Sequence, residues 1–586
     1  MRASARPRRD AGALAARPVE SDGDRLLGIA HRAAATSARE PPALQRAHRP
    51  RDGLRRPGPV FLRHAVPPPD VRPCPAAARA AHRRGARRGP VLQGPCSRLR
   101  GRAGARRRGG GAGPGRRPRR LRGGPGSAIV PSVTAIAHLA EFTLKTTLGD
   151  CPPEALAVVR RAALDTLGVM LAGAAEPPAR AVRALARAEG GAPLCTVAGT
   201  DLRTSPTWAA LANGTAAHAH DFDDTSFAWM GHPSAPLLAA LLAAGEAELA
   251  DGAALVTGYV VGFEVGAALG EALNPSHYAR GWHATATLGT LACAAAAARV
   301  MRLDAPETRH ALGLAASLAS GLRENFGTMT KPLHVGLAAR NGLLAAALAR
   351  EGVTASARAL DGARGFAAAF GDAADDRLAA ALERLGRRWR LLDPGIAVKA
   401  YPSCAQTHAA IDALLELRAA YRPAPDEIAE VLVGVDRLTP GILIYPEPTT
   451  GLERKFSMPF CAAAALADGR VDLASFEAEP APAVRTLMPR VRMVVDDAIG
   501  DDPARRAWAR VTVRLRDGRT LGPLLRGPAG HPERPLSDAA LRAKFLACAG
   551  RVLAPGAAAG LAEAIEHLEA IPDVRALTAR LTGPLD

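Results

Sequence analysis

Segment 213–233 contains three carboxylates and three imidazoles within fifteen residues of an apolar, Ala-rich stretch. If this segment is helical, His218, Asp221 and Thr225 lie at i, i+3 and i+7, on one face. Crowded carboxylates raise one another's pKa, and histidines titrate near neutrality, which suits proton transfer at pH 7. The pair His220–Asp221 is also typical of helical metal phosphohydrolases. A solvated helix end capped by aspartates is the alternative without chemistry.

A second candidate is His283, in the motif Gly-Trp-His at 281–283, which opens an Ala-rich segment with helical spacing. A histidine at a helix N-terminus can meet an anion that the backbone N–H groups already favour. A purely structural histidine is the alternative.

Lysine usage indicates a third candidate. The chain has five lysines, at 145, 331, 399, 455 and 544, and arginine stands nearly everywhere else. A compact ammonium kept at Lys331, before a predicted helix, has a role that a planar guanidinium cannot fill. Pairing with a substrate carboxylate is the natural role, and chance retention on a surface loop is the alternative.

Segment 399–408 carries a fourth group of polar residues. Ser403 and Gln406 have the spacing of a capping box, which predicts a helix N-terminus with free N–H groups for an anion. Cys404 and His408 lie at i, i+4 and are too few to form a metal site alone. We favour a substrate-facing His408 over a nucleophilic Cys404.

The net charge of +20 belongs entirely to the start of the chain. Residues 1–130 hold 31 Arg, no Lys and 7 acidic residues, so the rest of the chain has a net charge of −4. Such an Arg/Pro/Gly-rich segment cannot bury a core and is predicted to be disordered. It has almost no aromatic residues for stacking on bases, so we predict no specific nucleic-acid binding. The alternative to a native segment is a non-native extension.

Other features bound the class of protein. No signal peptide or membrane span is found, and the apolar stretch 253–273 is predicted to be a buried core helix. Eight scattered Cys without CxxC spacing favour a reducing, cytoplasmic location. No Walker A, GxSxG, HExxH or dinucleotide-binding pattern occurs.

The periodicity predicts a mainly α protein with a smaller α+β domain. Helical spacing dominates 131–397, whereas strand-like segments at 427–435, 491–495 and 511–515 lead to the hairpin signal Asp517-Gly518. We therefore predict a large all-helical domain (131–397 and 535–586), interrupted by an α/β lid domain at 398–534. Ser537 is predicted to cap the first helix of the returning segment.

Together these motifs resemble the MmgE/PrpD family, which includes 2-methylcitrate dehydratase, cis-aconitate decarboxylase and iminodisuccinate epimerase. The resemblance spans about 136–579. Its most specific parts are His-Asp-Phe-Asp-Asp-Thr at 220–225 with His-Pro at 232–233, Gly-Trp-His at 281–283, and the segments 330–336, 401–408, 455–460 and 535–545. The order and spacing of these modest motifs carry the resemblance.

The resemblance implies a cofactor-free and metal-free site, a homodimer, and a small di- or tricarboxylate as substrate. It places site residues at Asp221, Thr225, His232, His283, Lys331 and His408. A further site position, often Tyr in the family, falls on Phe460. The lost hydroxyl bears on which substrate is accepted.

A mechanism follows from that resemblance. Lys331 and the helix N-termini near His283 and Ser403 are predicted to hold substrate carboxylates, and His283 to move the proton with Asp221 assisting. Lid closure would deliver His408. The most specific expectation is a 2-methylcitrate dehydratase-type hydro-lyase. The alternatives are a decarboxylase or epimerase of the same family, a helical metal phosphohydrolase, or a non-catalytic scaffold.

Overall fold

A computed structural model describes residues 133–372, 375–500 and 506–585. The prediction for residues 1–130 lies outside this range. The described helices are α1 Ala135–Lys145, α2 Pro153–Gly173, α3 Pro177–Glu189, α4 Pro206–His218, α5 Ser234–Glu248, α6 Gly252–Leu273, α7 Ser276–Ala279, α8 Ala284–Val300, α9 Ala305–Leu318, α10 Thr330–Arg350, α11 Phe366–Phe370, α12 Asp375–Glu383, α13 His408–Tyr421, α14 Gly451–Arg454, α15 Met458–Ala467, α16 Leu473–Glu477, α17 Pro482–Leu487, α18 Asp538–Ala549, α19 Pro555–Glu566 and α20 Val574–Thr578. The strands are β1 Cys195–Thr196, β2 Arg203–Thr204, β3 Ile428–Val435, β4 Val491–Val495, β5 Ala509–Leu515 and β6 Thr520–Arg526.

The helices that carry the candidate site pack closely because small residues face one another. A Cβ on Gly214 of α4 would lie 2.8 Å from the Cα of Gly336 on α10, so the two backbones nearly touch there. This contact brings the C-terminal end of α4, which ends at His218, beside the first turn of α10. The close approach of two glycines therefore positions His218 and Lys331 for their direct contact.

Helix α6 is the long apolar segment of the sequence. Within the described residues it is the one helix long and apolar enough to cross a membrane, and 89% of its most apolar stretch is buried inside the protein. Its Gly266 lies against the Trp229 ring, where a Cβ would come within 2.0 Å of the indole. These contacts are those of a core helix, as the sequence predicts.

The strand predictions are confirmed by a four-stranded sheet of order β4-β3-β5-β6. Strand β3 pairs parallel to β4 and antiparallel to β5, and β5 pairs antiparallel to β6 through the predicted turn at Asp517-Gly518. Helices α13 and α15 pack together and against this sheet. The protein is therefore mainly α with a smaller α+β part.

The chain ends in helices again. Ser537 caps α18 by accepting a hydrogen bond from the N–H of Ala540, as predicted. Helix α18 packs on α2, where a Cβ on Gly168 would lie 2.9 Å from the Phe545 ring. This packing buries Lys544 beside α2. A hinged lid and the predicted boundaries at 398 and 535 remain predictions.

Candidate active site

The predicted helix through 218–225 is wrong beyond His218, where α4 ends. Asp221 has φ 52°, in the left-handed region that a carboxylate residue tolerates better than most but that interrupts a helix. Thr225 instead exchanges backbone hydrogen bonds with Ala397, at 2.9 and 2.8 Å. The loop after α4 therefore projects Asp221 toward segment 397–404 rather than along one helix face.

Two buried ammonium groups converge on the carboxylate of Asp221. Lys331 Nζ donates to Oδ1 at 2.9 Å, and Lys399 Nζ donates to Oδ1 at 3.0 Å and to the Asp221 carbonyl at 2.6 Å. Burial alone would raise the pKa of Asp221, but the two charges outweigh it and hold the pKa well below its usual range. The group of three carries one net positive charge.

The carboxylate of Asp223 orients the imidazoles of His218 and His232, next to Lys331 and Asp221. Asp223 accepts from His218 Nδ1 at 2.8 Å, and His232 Nδ1 lies 3.2 Å from its other oxygen. Burial lowers the pKa of His218 to about 4, and the ammonium of Lys331 acts in the same direction. The neutral ring therefore accepts from Lys331 Nζ through Nε2, at 2.5 Å. The chain Asp223–His218–Lys331 fixes the position of the ammonium.

His283 stands at the start of α8, as predicted. Its Nδ1 lies 3.2 Å from Nδ1 of His334, and its ring meets the edge of Phe326 with centroids 5.0 Å apart. Burial, assisted by the charge on Lys331, holds the pKa of His283 well below 6.5. A neutral imidazole with one free ring nitrogen can accept a proton from a bound molecule.

A cavity brings most of the predicted residues together. Its wall includes Asp221, Thr225, His232, His283 and Lys331, and Lys399 lies beside them. Apolar side chains complete the wall, among them Phe326, Ile442 and Phe456. The cavity thus combines fixed cations, a neutral imidazole and a water-excluding surface.

Three predicted residues, Phe460, His408 and Ser403, lie outside the described cavity wall. Phe460 is 1% exposed and packs on Phe476, with ring centroids 5.4 Å apart. His408 begins α13, and its Nε2 lies 3.2 Å from the Ser403 carbonyl. Their contact with a substrate stays a prediction.

The capping box predicted at Ser403 and Gln406 is wrong. The Ser403 hydroxyl instead bonds Thr407 Oγ1 at 2.8 Å, and a 3₁₀ turn at Ala405–Thr407 precedes α13. Gln406 accepts from the Thr439 hydroxyl at 2.9 Å. Both side chains have longer-range or turn partners that a local spacing rule does not include.

The site residues predicted from the sequence do not include Lys399. His218 and Asp223 belong to the predicted acid/histidine cluster but were expected only to support the site. Lys399 had the same signal as Lys331, since four of the five lysines are buried and the fifth, Lys145, is exposed. A buried ammonium requires a partner, so every buried lysine marks a built polar contact.

The same residues offer a metal-ligand geometry that bears on the phosphohydrolase alternative. Ligand atoms of His218, Asp221, Asp223 and His232 lie within 4.8 Å of one another. However, Lys331 Nζ already contacts His218 Nε2 and Asp221 Oδ1, so an ammonium uses the lone pairs that a metal ion needs. The donor set therefore fits an internal cation better than a metal.

We expect turnover to be unchanged after dialysis against EDTA and 1,10-phenanthroline, because Lys331 supplies the positive charge at this position. Rates measured before and after dialysis, with protein metal content determined in parallel, check this expectation. Loss of activity on chelation and its return with one divalent ion would contradict it.

Buried neutral histidines predict acid sensitivity of the fold. Burial lowers the pKa to about 4 for His218, His277 and His334, and to about 3 for His220 and His408. Below pH 6.5 the unfolded chain binds protons at these rings, whereas the native protein does not until near pH 4. Stability is thus present above pH 6.5 and lost as the pH falls.

We expect the free energy of unfolding to fall between pH 6.5 and 4 by on the order of 1.4 kcal/mol per pH unit for each such histidine. Urea unfolding at four pH values measures this slope. His277→Gln, outside the described cavity wall, should flatten it. A free energy that stays constant from pH 7 to 5 would show that these rings are not held neutral.

Comparison of the chain with known protein families shows the class of protein to which it belongs. The MmgE/PrpD N-terminal domain matches residues 137–379, and the MmgE/PrpD C-terminal domain matches residues 401–570. The chain therefore belongs to the MmgE/PrpD family, which confirms the resemblance.

Three individual proteins are similar to this chain over most of their length. The chain is 31% identical over 444 residues to the cis-aconitate decarboxylase of Mus musculus, covering 72% of this chain and 88% of the relative. It is 31% identical to the cis-aconitate decarboxylase of Homo sapiens, with coverages of 66% and 81%. The cis-aconitate decarboxylase-like protein oryM of Aspergillus oryzae is 28% identical, with coverages of 78% and 98%.

Proposed function

We propose that this protein is a lyase that acts on a small di- or tricarboxylate by acid/base chemistry, with decarboxylation of an unsaturated tricarboxylate as the favoured reaction. The observation that carries the proposal is the pair of ammonium groups on Asp221, at 2.9 and 3.0 Å, beside neutral His283 in one cavity. Their net positive charge attracts an anion, and their fixed positions stabilise negative charge that develops during reaction.

Decarboxylation makes specific demands that this cavity meets. When the C–C bond to the departing carboxylate breaks, carbon dioxide leaves and the electron pair passes into the remaining unsaturated carboxylate. Lys331 and Lys399 offset that charge, and one proton from solvent then adds at carbon, delivered through His283. Phe326 and Phe456 exclude water from the reacting atoms. The names of the relatives at 31% identity favour this reaction.

Dehydration of a hydroxy-tricarboxylate, as by a 2-methylcitrate dehydratase, is the second candidate. It is favoured by the neighbouring base and donor, since neutral His283 can remove a carbon-bound proton while Lys331 donates to the departing hydroxyl. The two reactions release different products, carbon dioxide or water.

A substrate panel separates these candidates. The full chain is incubated with cis-aconitate, citrate, 2-methylcitrate and chiral succinate derivatives in deuterated buffer and followed by NMR. Carbon dioxide release with one deuterium in the product supports decarboxylation, an alkene formed from a hydroxy acid supports dehydration, and exchange with inversion supports an epimerase. No change in any substrate would overturn the proposed function.

Lys399→Met is expected to lower kcat/KM by roughly 10- to 100-fold, because hydrogen bonds to charged groups contribute about 1.5–3 kcal/mol. The variant removes one ammonium from Asp221 and frees its carbonyl. Steady-state rates on whichever substrate the wild type accepts check this, with Lys145→Met on the surface as the matched control. Equal loss in both variants would contradict a role specific to the cavity.

We also propose a homodimer, which light scattering coupled to size-exclusion chromatography tests directly. A cytoplasmic location is proposed on the six buried, unpaired cysteines of the described residues, which suit a reducing compartment.

A further inference from the structure

Lys544 is a buried lysine outside the described cavity wall that the mechanism above does not use. It lies on α18, near the end of the chain, and is 5% exposed. Its Nζ donates to the carbonyl of Phe222 at 2.8 Å and to the carbonyl of Lys399 at 2.9 Å. Its third polar partner is the carboxylate of Asp165 on α2, at 2.5 Å.

The two carbonyls lie on the two segments that carry Asp221 and Lys399. Phe222 follows Asp221 directly, and Lys399 supplies the second ammonium that holds the Asp221 carboxylate. The Lys544 ammonium therefore binds both the loop that carries Asp221 and the segment that carries Lys399. The ring of Phe222 also lies 3.9 Å from Lys544 Nζ, which restricts the loop further.

The loop needs such a restraint because its conformation is not one that the local sequence favours. Asp221 adopts φ 52°, in the left-handed region that residues with a side chain rarely occupy. Segments 221–225 and 397–399 are far apart in sequence and meet through the Thr225–Ala397 backbone bonds and the Lys399 ammonium. Lys544 adds one further contact to each segment. The carboxylate of Asp165 lies beside the Lys544 ammonium and balances its charge.

We propose that Lys544, held by Asp165, is the positioning residue that sets the distance between Asp221 and Lys399. It never reaches the cavity wall as described, so it acts through these backbone carbonyls and not on the substrate. Loss of the ammonium lets the two segments separate, which weakens the Asp221–Lys399 pair while leaving Lys331 in place.

Two measurements on Lys544→Met test the proposal. The first is hydrogen–deuterium exchange read by mass spectrometry, in which peptides covering 219–226 and 397–402 should exchange about tenfold faster, with α5 peptides unchanged. The second is the comparison of kcat and KM with those of the wild type, which rests on the proposed function. We expect kcat to fall about 10- to 100-fold with KM nearly constant, because misplacement of a catalytic group by about 1 Å has an effect of this size.

The distribution of faster exchange separates positioning from general destabilisation. General destabilisation speeds exchange throughout the protein, whereas loss of positioning speeds it in the two named peptides. Equally faster exchange in α5, or a kcat equal to that of the wild type, would overturn the proposal. Lys544→Arg, which keeps charge and donors, should restore part of kcat, and Lys145→Met serves as the control.

Asp165→Asn provides a second variant in case Lys544→Met does not fold. It retains the shape of the side chain and removes only the charge beside Lys544, so the same two peptides should exchange faster to a smaller degree. Unchanged exchange in both peptides for every folded variant would overturn the proposal. Faster exchange in a protein that converts no polycarboxylate would leave positioning intact and reject the proposed function alone.

Discussion

Replacing Lys331 by Met is expected to lower kcat/KM roughly 100- to 1000-fold, because removing one fixed group that stabilises developing charge costs about 2.7–4 kcal/mol. The ammonium is 4% exposed and contacts His218 Nε2 and Asp221 Oδ1 at 2.5 and 2.9 Å. Its loss removes the cation that would meet the substrate carboxylate and leaves Asp221 with Lys399 alone. Steady-state kinetics measure the effect, and circular dichroism confirms that the variant is folded.

Two further variants test whether the effect depends on an ammonium group at position 331. Lys331→Arg should restore little activity, because a planar guanidinium cannot occupy the position of a compact ammonium between His218 and Asp221. Lys145→Met removes a lysine that is exposed at the surface and should behave as wild type. Full activity in Lys331→Met, or full rescue by Arg, would refute the role given to this ammonium.

His283→Ala is expected to lower kcat about 100- to 10,000-fold with a smaller change in KM, since positioned acid/base groups contribute factors of this size. The imidazole is buried and neutral at the cavity wall, and its Nδ1 faces His334. The substrate carboxylates keep Lys331 and Lys399 as partners, so binding is largely retained. His138→Ala, in helix α1, is the matched control.

The solvent isotope effect shows whether the proton step is the one that fails. If the proton step limits the rate in His283→Ala, the ratio of rates in light and deuterated buffer should be larger for the variant than for the wild type. Wild-type turnover by His283→Ala on every accepted substrate would reject this residue as the proton carrier.

The elements that could be predicted are those determined by local sequence. The Ala-rich periodicity of 284–300 and the turn at Asp517-Gly518 are local signals, and both appear as predicted in α8 and in the β5–β6 pair. The burial of α6 follows from its apolar composition and its glycines. Such signals need no knowledge of distant contacts.

The loop after α4 could not be predicted in the same way. The spacing of His218, Asp221 and Thr225 fits a helix, yet Asp221 turns into the left-handed region. The compensating contacts come from Lys399 on its carbonyl and Lys544 on the next carbonyl, respectively 178 and 322 residues away. Tertiary bonds therefore override the local helical preference.

Some site residues could be predicted from the sequence, and the position of others depends on tertiary packing. Residue types identified Asp221, His232, His283 and Lys331, which the fold brings to one cavity. Phe460 was predicted from the family resemblance, and His408 from its spacing to Cys404 as well as from the resemblance. Both lie outside the described cavity wall, in packed and backbone-bonded positions. The scarcity of lysine is a more general signal than any single motif, because four of the five lysines are buried.

¹³C NMR of labelled cis-aconitate, with chelator-treated, full-length protein in deuterated buffer, tests the proposed decarboxylation most directly. We expect labelled carbon dioxide, an unsaturated dicarboxylate with one solvent deuterium, and a rate reduced at least 100-fold in Lys331→Met. Labelled citrate, run alongside, reports dehydration. An inert protein with both substrates, or activity that depends on added metal and is equal in Lys331→Met, would contradict the central claim.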